Sequence, residues 1–416
     1  MALGHYVGMS PPVSAMDVDL GRPPRMGLVL TGGGARSAYQ VGVLRTVAKL
    51  LPREAPTPFR IVTGMSAGAI VAAAVACHAS RFRHGVVALE RVWRNFHVDQ
   101  VYRADGGSML RAGVRWLIAF LTTGRLLRPP ESVFDSSPLR ALLERHYDFA
   151  GMRAAMARGH LDGVAIAVSS YRTARSVAFY ENRDARDGTV GRWPRGVAAQ
   201  LTVDHLLASS AVPFLFPAVR MNGEYYGDGA MRQIAPLSPA IHLGAERLFV
   251  VGVRNAPASS AQATGAAADA PSFGQIIGFM LDTLFIDSLQ SSLMQLERLN
   301  RLIDQSAVPN PDGLRRIDAL VITPRADLSE IAARHARAMP RTLRSLLRTM
   351  GAADVGGSEL LSYLLFESSY TRELMALGAE DARSRIDEIA RFIDVAQPAR
   401  RRVLAATQLQ AVPLAG

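Results

Sequence analysis

A short strand, a tight glycine turn and a helix of small residues follow one another between Phe59 and Ala76, and this succession most narrows the folds open to the chain. Phe59-Arg60-Ile61-Val62-Thr63 is an apolar run, Gly64-Met65-Ser66-Ala67-Gly68 is the turn, and Ala67 to Ala76 is rich in helix formers. The two glycines leave room for a sharp bend and close strand–helix packing. Ser66 then stands exposed at the sheet edge, where the first helical amides point at whatever it attacks. Gly-x-Ser-x-Gly between a strand and a helix is the layout of a nucleophile elbow.

A similar unit precedes it. Met26-Gly27-Leu28-Val29-Leu30-Thr31 reads as a buried strand, and Gly32-Gly33-Gly34-Ala35-Arg36 leads into an amphipathic helix with Tyr39, Val43, Val47 and Leu50 on one face. Three consecutive glycines let successive N–H groups turn towards one point and form an anion-binding nest. The anion is either a phosphate or the oxyanion of an acyl-transfer intermediate, and Arg36 can reinforce either. The competing reading is a dinucleotide turn, because Gly32-x-Gly34-x-x-Ser37 nearly fits G-x-G-x-x-G/A. That motif wants an acid at the end of the second strand, where this chain has Thr63-Gly64-Met65-Ser66.

The third element is Tyr225-Tyr226-Gly227-Asp228-Gly229-Ala230. An aspartate between glycines is by itself a turn residue. After a strand-like run it also lies where a sheet delivers a side chain to a loop, and a serine nucleophile needs a base to take its proton.

Together these pieces resemble the patatin-like phospholipase family. The matching segments are Gly32 to Arg36, the elbow Gly64 to Gly68, Asp228-Gly229-Ala230, and Ala208-Ser209-Ser210-Ala211-Val212-Pro213-Phe214-Leu215-Phe216-Pro217. The resemblance covers roughly Met26 to Val253. It implies a Ser–Asp dyad without histidine, with Ser66 as nucleophile and Asp228 as base. It further implies an oxyanion hole at Gly32, Gly33, Gly34, Ala35 and Arg36, and an acyl-binding cleft near Phe214 and Phe216. Where the family often has glycine after the basic residue this chain has Ser37, a good capping type if it merely starts the helix. A dyad of this kind implies a water-excluding site, because an aspartate at its reference pKa of about 3.9 is a weak base. The other mechanism is a Ser–Asp–His triad. His242 and His335 follow Asp228, but the first reads as a partly buried helix residue and the second as part of a solvated basic face. His205 precedes the aspartate on the helix Val203 to Ser210.

The fold expected is α/β, a central mostly parallel sheet flanked by helices, with a helical C-terminal region. Gly163 to Val168 and Ser176 to Tyr180 read as paired strands, and Arg247 to Val253 and Asp318 to Pro324 as further strands of the same sheet. Residues 1–25 form an N-terminal flexible segment, 26–325 the catalytic domain with a flexible loop at about 256–271, and 326–416 the helical region. That tail resembles one in some bacterial patatin-like proteins; it covers the core, or it contacts a second subunit or a membrane.

The single cysteine, Cys77, excludes an internal disulfide, suggests no metal site and favours a reducing, cytoplasmic location. No secretory signal and no run of about 18 apolar residues is present. The net charge is +11, and Lys49 is the only lysine among 47 basic residues. So strong an arginine preference reads as compositional bias or as attraction to an anionic membrane surface. Nucleic-acid binding comes last, since no recognition motif accompanies the charge. The sector Arg81 to Arg128 interleaves arginines with Trp93, Phe96, Tyr102, Trp116 and Phe120; it is either core-packed helix, a lid, or an interfacial element. The expected function is serine lipid acyl hydrolysis on phospholipid or neutral acyl esters at an interface, without cofactor. A silent membrane-associated scaffold of the same fold is the alternative, and a dinucleotide enzyme comes third.

Overall fold

The computed structural model describes residues 24–103, 132–183, 193, 195–254, 272–305, 314–349 and 358–394. Most of the N-terminal segment, the loop at about 256–271, the stretch with Trp116 and Phe120, and residues 395–416 lie outside the described residues. Nine strands are described: β1 Met26–Leu30, β2 Ile61–Met65, β3 Gly163–Ser170, β4 Ser176–Asn182, β5 Gly196–Ala198, β6 Val219–Met221, β7 Glu224–Gly227, β8 Arg247–Val251 and β9 Asp318–Ile322. They form one sheet of order β5-β4-β3-β2-β1-β8-β9, with the β6–β7 hairpin attached to β3. The five strands from β3 to β9 in that order run parallel. β4 is antiparallel to β3, as its hairpin pattern predicts.

Thirteen helices are described: α1 Ala38–Leu50, α2 Ala67–Cys77, α3 Phe82–Arg94, α4 Ser137–His146, α5 Phe149–Ala157, α6 Val203–Ser209, α7 Ser238–His242, α8 Phe273–Gln305, α9 Leu328–His335, α10 Arg341–Thr349, α11 Ser358–Leu364, α12 Ser368–Ser384 and α13 Ile386–Phe392. Among them none is long and apolar enough to cross a membrane.

Successive strand residues point to opposite faces, so the central strands feed two cores. Leu28, Leu30, Val62, Ile166, Phe249 and Val251 join the larger core, which also takes side chains of α1, α2, α3 and α9 to α13. Val29, Ile61, Ala165, Leu248 and Val250 face a smaller core closed by α7 and α8. Both faces are covered, which is why the strands read as continuous apolar runs rather than alternating ones. Packing of α1 departs from the single apolar stripe that its sequence predicts. Eleven of its thirteen residues are buried, because α12 lies along its outer side. Tyr39 donates to the Asp381 carboxylate at 3.0 Å and Thr46 to the Ala379 carbonyl at 3.1 Å across that contact. The described helices after β9 therefore cover the core.

Strand order turns back at β1, which lies between β2 and β8. In open α/β sheets the crevice outside the carboxyl ends of such strands is where ligands bind. Here the Gly32–Gly34 turn leaves β1 and Ser66 leaves β2, both at their carboxyl ends. β7 pairs antiparallel with the carboxyl end of β3, Gly227 opposite Ser169, so the residue after β7 arrives at the same edge. That residue is Asp228.

Candidate active site

Ser66 follows β2 directly and caps α2 with φ of +52° and ψ of −135°. Positive φ is strained for a residue with a side chain, and it marks the sharp strand-to-helix bend of a nucleophile elbow. The bend is possible because two glycines let helix and sheet touch. A Cβ on Gly68 would stand 2.3 Å from the Thr31 carbonyl oxygen and 2.6 Å from that of Leu30. One on Gly64 would meet the Gly68 carbonyl oxygen at 2.5 Å. These are backbone atoms that no rotamer change can clear. Gly68→Ala should accordingly cost about 3 kcal/mol or more, read as a lowered thermal unfolding midpoint with loss of activity in proportion to unfolding.

The Ser66 hydroxyl donates to Asp228 Oδ2 at 2.7 Å. Asp228 Oδ1 accepts from the Ala230 amide at 2.8 Å. Both side chains are sealed from solvent, with Ser66 2% and Asp228 1% exposed. Burial raises the Asp228 carboxyl up to about 7, against the downward pull of the hydrogen bonds from Ser66 and Ala230. A buried carboxylate short of solvation holds a proton more strongly, which is the property a base for serine requires. Its backbone is pinned on both sides: the Asp228 amide donates to the Ala211 carbonyl at 2.9 Å and its carbonyl accepts from Ser169 Oγ at 2.8 Å.

Two polar residues hold the loops around this pair. Ser209 Oγ accepts from the Ser66 amide at 2.9 Å and donates to the Ala167 carbonyl at 2.6 Å, tying the elbow to β3. Gln40 Nε2 donates to the carbonyls of Thr31, at 2.8 Å, and Val251, at 3.2 Å, fixing the start of the glycine turn. Gln40 carried no signal in the sequence beyond a polar residue in an apolar helix. Ser209 lay inside a recognised segment, but nothing local assigned it a partner.

Gly34 has φ of +53° and lines the same pocket as Ser66. A Cβ there would meet the Tyr363 carbonyl oxygen at 2.3 Å, so the turn closes only with glycine at this point. Gly33 caps the short turn Gly34–Ser37, whose first backbone bond runs from the Arg36 amide to the Gly33 carbonyl at 3.0 Å. Gly32, Gly33 and Ala35 are buried beside it. Ser37 starts α1 without a side-chain capping bond, and its buried hydroxyl has no hydrogen-bond partner among the described residues. Arg36 is turned away from this turn towards the C-terminal helices. Its Nε donates to Ser362 Oγ at 2.7 Å, Nη1 to the Tyr363 hydroxyl at 3.2 Å and Nη2 to the Glu359 carboxylate. The guanidinium lies 4.1 Å over the Tyr363 ring.

From Ser66 an apolar channel runs along one face of α2. Ser66, Ile70, Ala74 and His78 line it at four-residue spacing, so the wall spans about 18 Å of helix. α3 and α4 form the opposite wall, with Leu89, Val92 and Leu143 among the lining residues. Among the described residues no Asp, Glu, Lys or Arg lines the channel. The Phe214–Phe216 pair divides: Phe216 lines the channel, while Phe214 has φ of +67° and is 70% exposed away from it. Trp93, Phe96 and Phe366 form an edge-to-face cluster that also lines it. Trp93, Phe96 and Tyr102 of the basic–aromatic sector are thus core residues.

The carboxylate partners of Asp228 among the described residues are Ser66 and Ala230, and neither is a histidine. His205 bonds Thr202 on its own helix cap, and burial pushes its imidazole down. His242 stacks on Trp193. His335 pairs with Glu373, half-buried, rather than lying free in solvent as its basic surroundings predict. Cys77 is buried, and loss of solvation pushes its thiol up to about 12, which fits an inert structural role. Among the described residues no cluster of three or more potential metal ligands occurs.

No curated protein matches the chain. Among solved structures, VipD from Legionella pneumophila shares 13% identity at a TM-score of 0.33, covering 85% of this chain and 67% of that one. Human GIVD cytosolic phospholipase A2, solved in complex with methyl gamma-linolenyl fluorophosphonate, shares 13% at a TM-score of 0.41 and covers 91% of this chain. The chain spans 59% of the length of that human protein. The profile of the family described as patatin-like phospholipase matches residues 28–241, about half of the sequence. The segments that match include the glycine turn, the elbow and the Asp228 loop, and the chain belongs to the patatin-like phospholipase family, a family of lipid ester hydrolases.

Proposed function

We propose that the protein hydrolyses acyl esters of lipids through a Ser66–Asp228 dyad, acting on substrate presented at a lipid interface. The observation that carries this reading is the 2.7 Å hydrogen bond from the Ser66 hydroxyl to a sealed Asp228 carboxylate, set at the end of a mostly apolar channel. Asp228 takes the Ser66 proton as Oγ attacks the ester carbonyl carbon. The oxyanion forms against the amides of Gly33, Gly34 and Ala35 beside the positive end of α2. Collapse of the adduct breaks the ester C–O bond, and the leaving alcohol receives the proton from Asp228. Water then attacks the acyl-enzyme, gives its proton to Asp228, and the fatty acid leaves as Ser66 regains it. The channel along α2 holds the acyl chain, with Phe216 on its wall, and Phe214 has no part in it. The catalytic unit extends over residues 26–325, and the helical region after it supplies Tyr363 and Phe366 to the channel.

The test is hydrolysis of a chromogenic short-chain ester and of phospholipid vesicles by wild type, Ser66→Ala and Asp228→Asn, without added calcium. Turnover in wild type that disappears in both folded variants supports the dyad. Turnover surviving Ser66→Ala overturns it. A folded wild type that binds lipid without turnover returns the silent-scaffold reading.

The channel makes a second expectation. An extended alkyl chain, with zigzag C–C bonds of about 1.5 Å, covers about 18 Å with roughly 14 carbons. Ala74 lies two helical turns beyond Ser66 on this wall, so Ala74→Phe should block the distal part. At about 0.8 kcal/mol per buried methylene, several lost methylenes lower kcat/KM for a palmitoyl ester relative to a butyryl ester by about 10²-fold. An ester chain-length series measures that ratio, and an unchanged ratio removes the acyl chain from this channel.

A further inference from the structure

Behind the channel lies a second concavity of the opposite character. Between Ile331 and Thr349 the sequence holds five arginines, Arg334, Arg337, Arg341, Arg344 and Arg348, and no Asp or Glu. Arg341, Arg344 and Arg348 share one face of α10 by their spacing, while Leu343 and Leu347 are buried. Pro340 separates the short turn Ala336–Ala338 from α10, and Arg344 of α10 reaches back to the carbonyl of Arg337 in that turn. Arg334, Arg337, Arg344 and Arg348 then line one pocket, floored by Met339, Leu347 and Leu361. No carboxylate lines it among the described residues.

The charges facing it can be followed one by one. Glu373 on α12 pairs with Arg334 and His335. Glu359 on α11 is committed to Arg36 on the far side. Among the described residues Arg337, Arg344 and Arg348 have no carboxylate partner; Arg344 Nη1 donates to the Arg337 carbonyl at 3.0 Å, which orients its fork. Gathered guanidiniums repel one another, and an anion between them relieves that repulsion. The planar fork of arginine matches phosphate bidentately, and three forks match the several oxygens of a phosphate better than the two of a carboxylate.

We propose that this pocket between α9, α10 and α11 is a binding site for a phosphate-bearing anion, held by Arg337, Arg344 and Arg348. Its wall is shared with the acyl channel. Ser358 and Leu361 of α11 face the arginines, while Tyr363 and Leu364 face the channel. An anion held here lies about one helix diameter, roughly 10 Å, from the channel wall. The phosphate comes either from a lipid headgroup or from a soluble phosphate compound, and binding rather than turnover distinguishes the two.

The experiment uses the full chain. Flotation with phosphatidylcholine vesicles, alone or with phosphatidic acid, is run beside thermal unfolding with and without inorganic phosphate. The pocket variant is Arg344→Gln with Arg348→Gln. The control is Arg91→Gln with Arg175→Gln, two exposed arginines outside the pocket that remove the same net charge. Arg337→Gln serves as a second pocket variant should the double one unfold. The expected result is selective binding of the phosphatidic acid vesicles by wild type and control, weakened about tenfold or more in the pocket variant. Stabilisation by inorganic phosphate without vesicle binding, lost in the pocket variant alone, supports the site with a soluble ligand. Equal losses in pocket and control variants reduce the effect to net charge and overturn the proposal. Wild type that responds to neither probe overturns it as well.

Discussion

Asp228→Asn is expected to abolish ester hydrolysis and at the same time to stabilise the folded protein at pH 8. The side chain keeps its size and still accepts from the Ala230 amide, but it no longer takes a proton from Ser66. Loss of a general base costs about 10² to 10⁴ in rate, and the proposed dyad has no third group to share the work. The stability gain follows from the raised carboxyl. With a folded value of about 7 and an unfolded one near 3.9, the native state binds more protons than the unfolded state between those limits. Stability therefore falls as pH rises from about 4 to about 7 and levels off above, where the buried charge costs a few kcal/mol. Asparagine carries no such charge, so the variant should gain about 2–4 kcal/mol at pH 8 and nothing near pH 4. An aspartate kept only to hold the loop would give the reverse, a destabilised variant at every pH. Wild-type activity follows the same group: kcat/KM should fall about tenfold per pH unit below 7 and reach a plateau above it. Thermal unfolding at two pH values and a pH–rate profile check both.

Local chemistry is what made most of this fold legible. A strand, a glycine turn and a helix each leave a pattern within ten residues, and β1, β2, β8 and β9 appear where apolar runs put them. Boundaries moved by about a turn residue: β2 begins at Ile61 and runs to Met65, so the elbow glycine belongs to the strand. The site was legible to a different degree. Ser66 announces itself by its turn, whereas Asp228 looks like any aspartate between glycines until β7 pairs with the end of β3. That pairing is long-range, and only the resemblance to a family supplied it beforehand. Phe214 and Phe216 show the limit of pattern reading. Both are aromatic and two residues apart, and a left-handed backbone at Phe214 sends one outward while the other lines the channel. The helical pattern expected after residue 326 includes the apolar run Leu360 to Phe366, which says that the segment is buried but not against what. The answer, the glycine turn beside Ser66, lies more than 300 residues earlier in the chain.

Arg36 is where that long-range contact should have its largest effect. In sequence it stands beside the oxyanion turn and invites a direct electrostatic role. In the fold it is 2% exposed, and its fork is shared by Glu359, Ser362 and Tyr363 of α11. These contacts suit a latch, because they tie to the turn the helix whose Tyr363 carbonyl stands against Gly34. Arg36→Gln leaves Glu359 without its partner and opens a polar gap in the core, a change that costs about 3–5 kcal/mol where a buried pair is broken. Arg36→Lys keeps the charge but not the fork, and should recover only part of that loss. Glu359→Gln separates the two roles, because Glu359 lies on α11 and pairs with Arg36 but does not line the channel. If Arg36 is a latch, Glu359→Gln lowers stability and long-chain ester turnover together. The double variant is then less damaged than the sum of the singles, with a coupling of about 1–3 kcal/mol. If Arg36 instead serves the oxyanion directly, Glu359→Gln leaves kcat unchanged while Arg36→Gln lowers it at full stability. A double-mutant cycle read by both unfolding and kcat distinguishes these, and the buried, fully engaged guanidinium favours the latch.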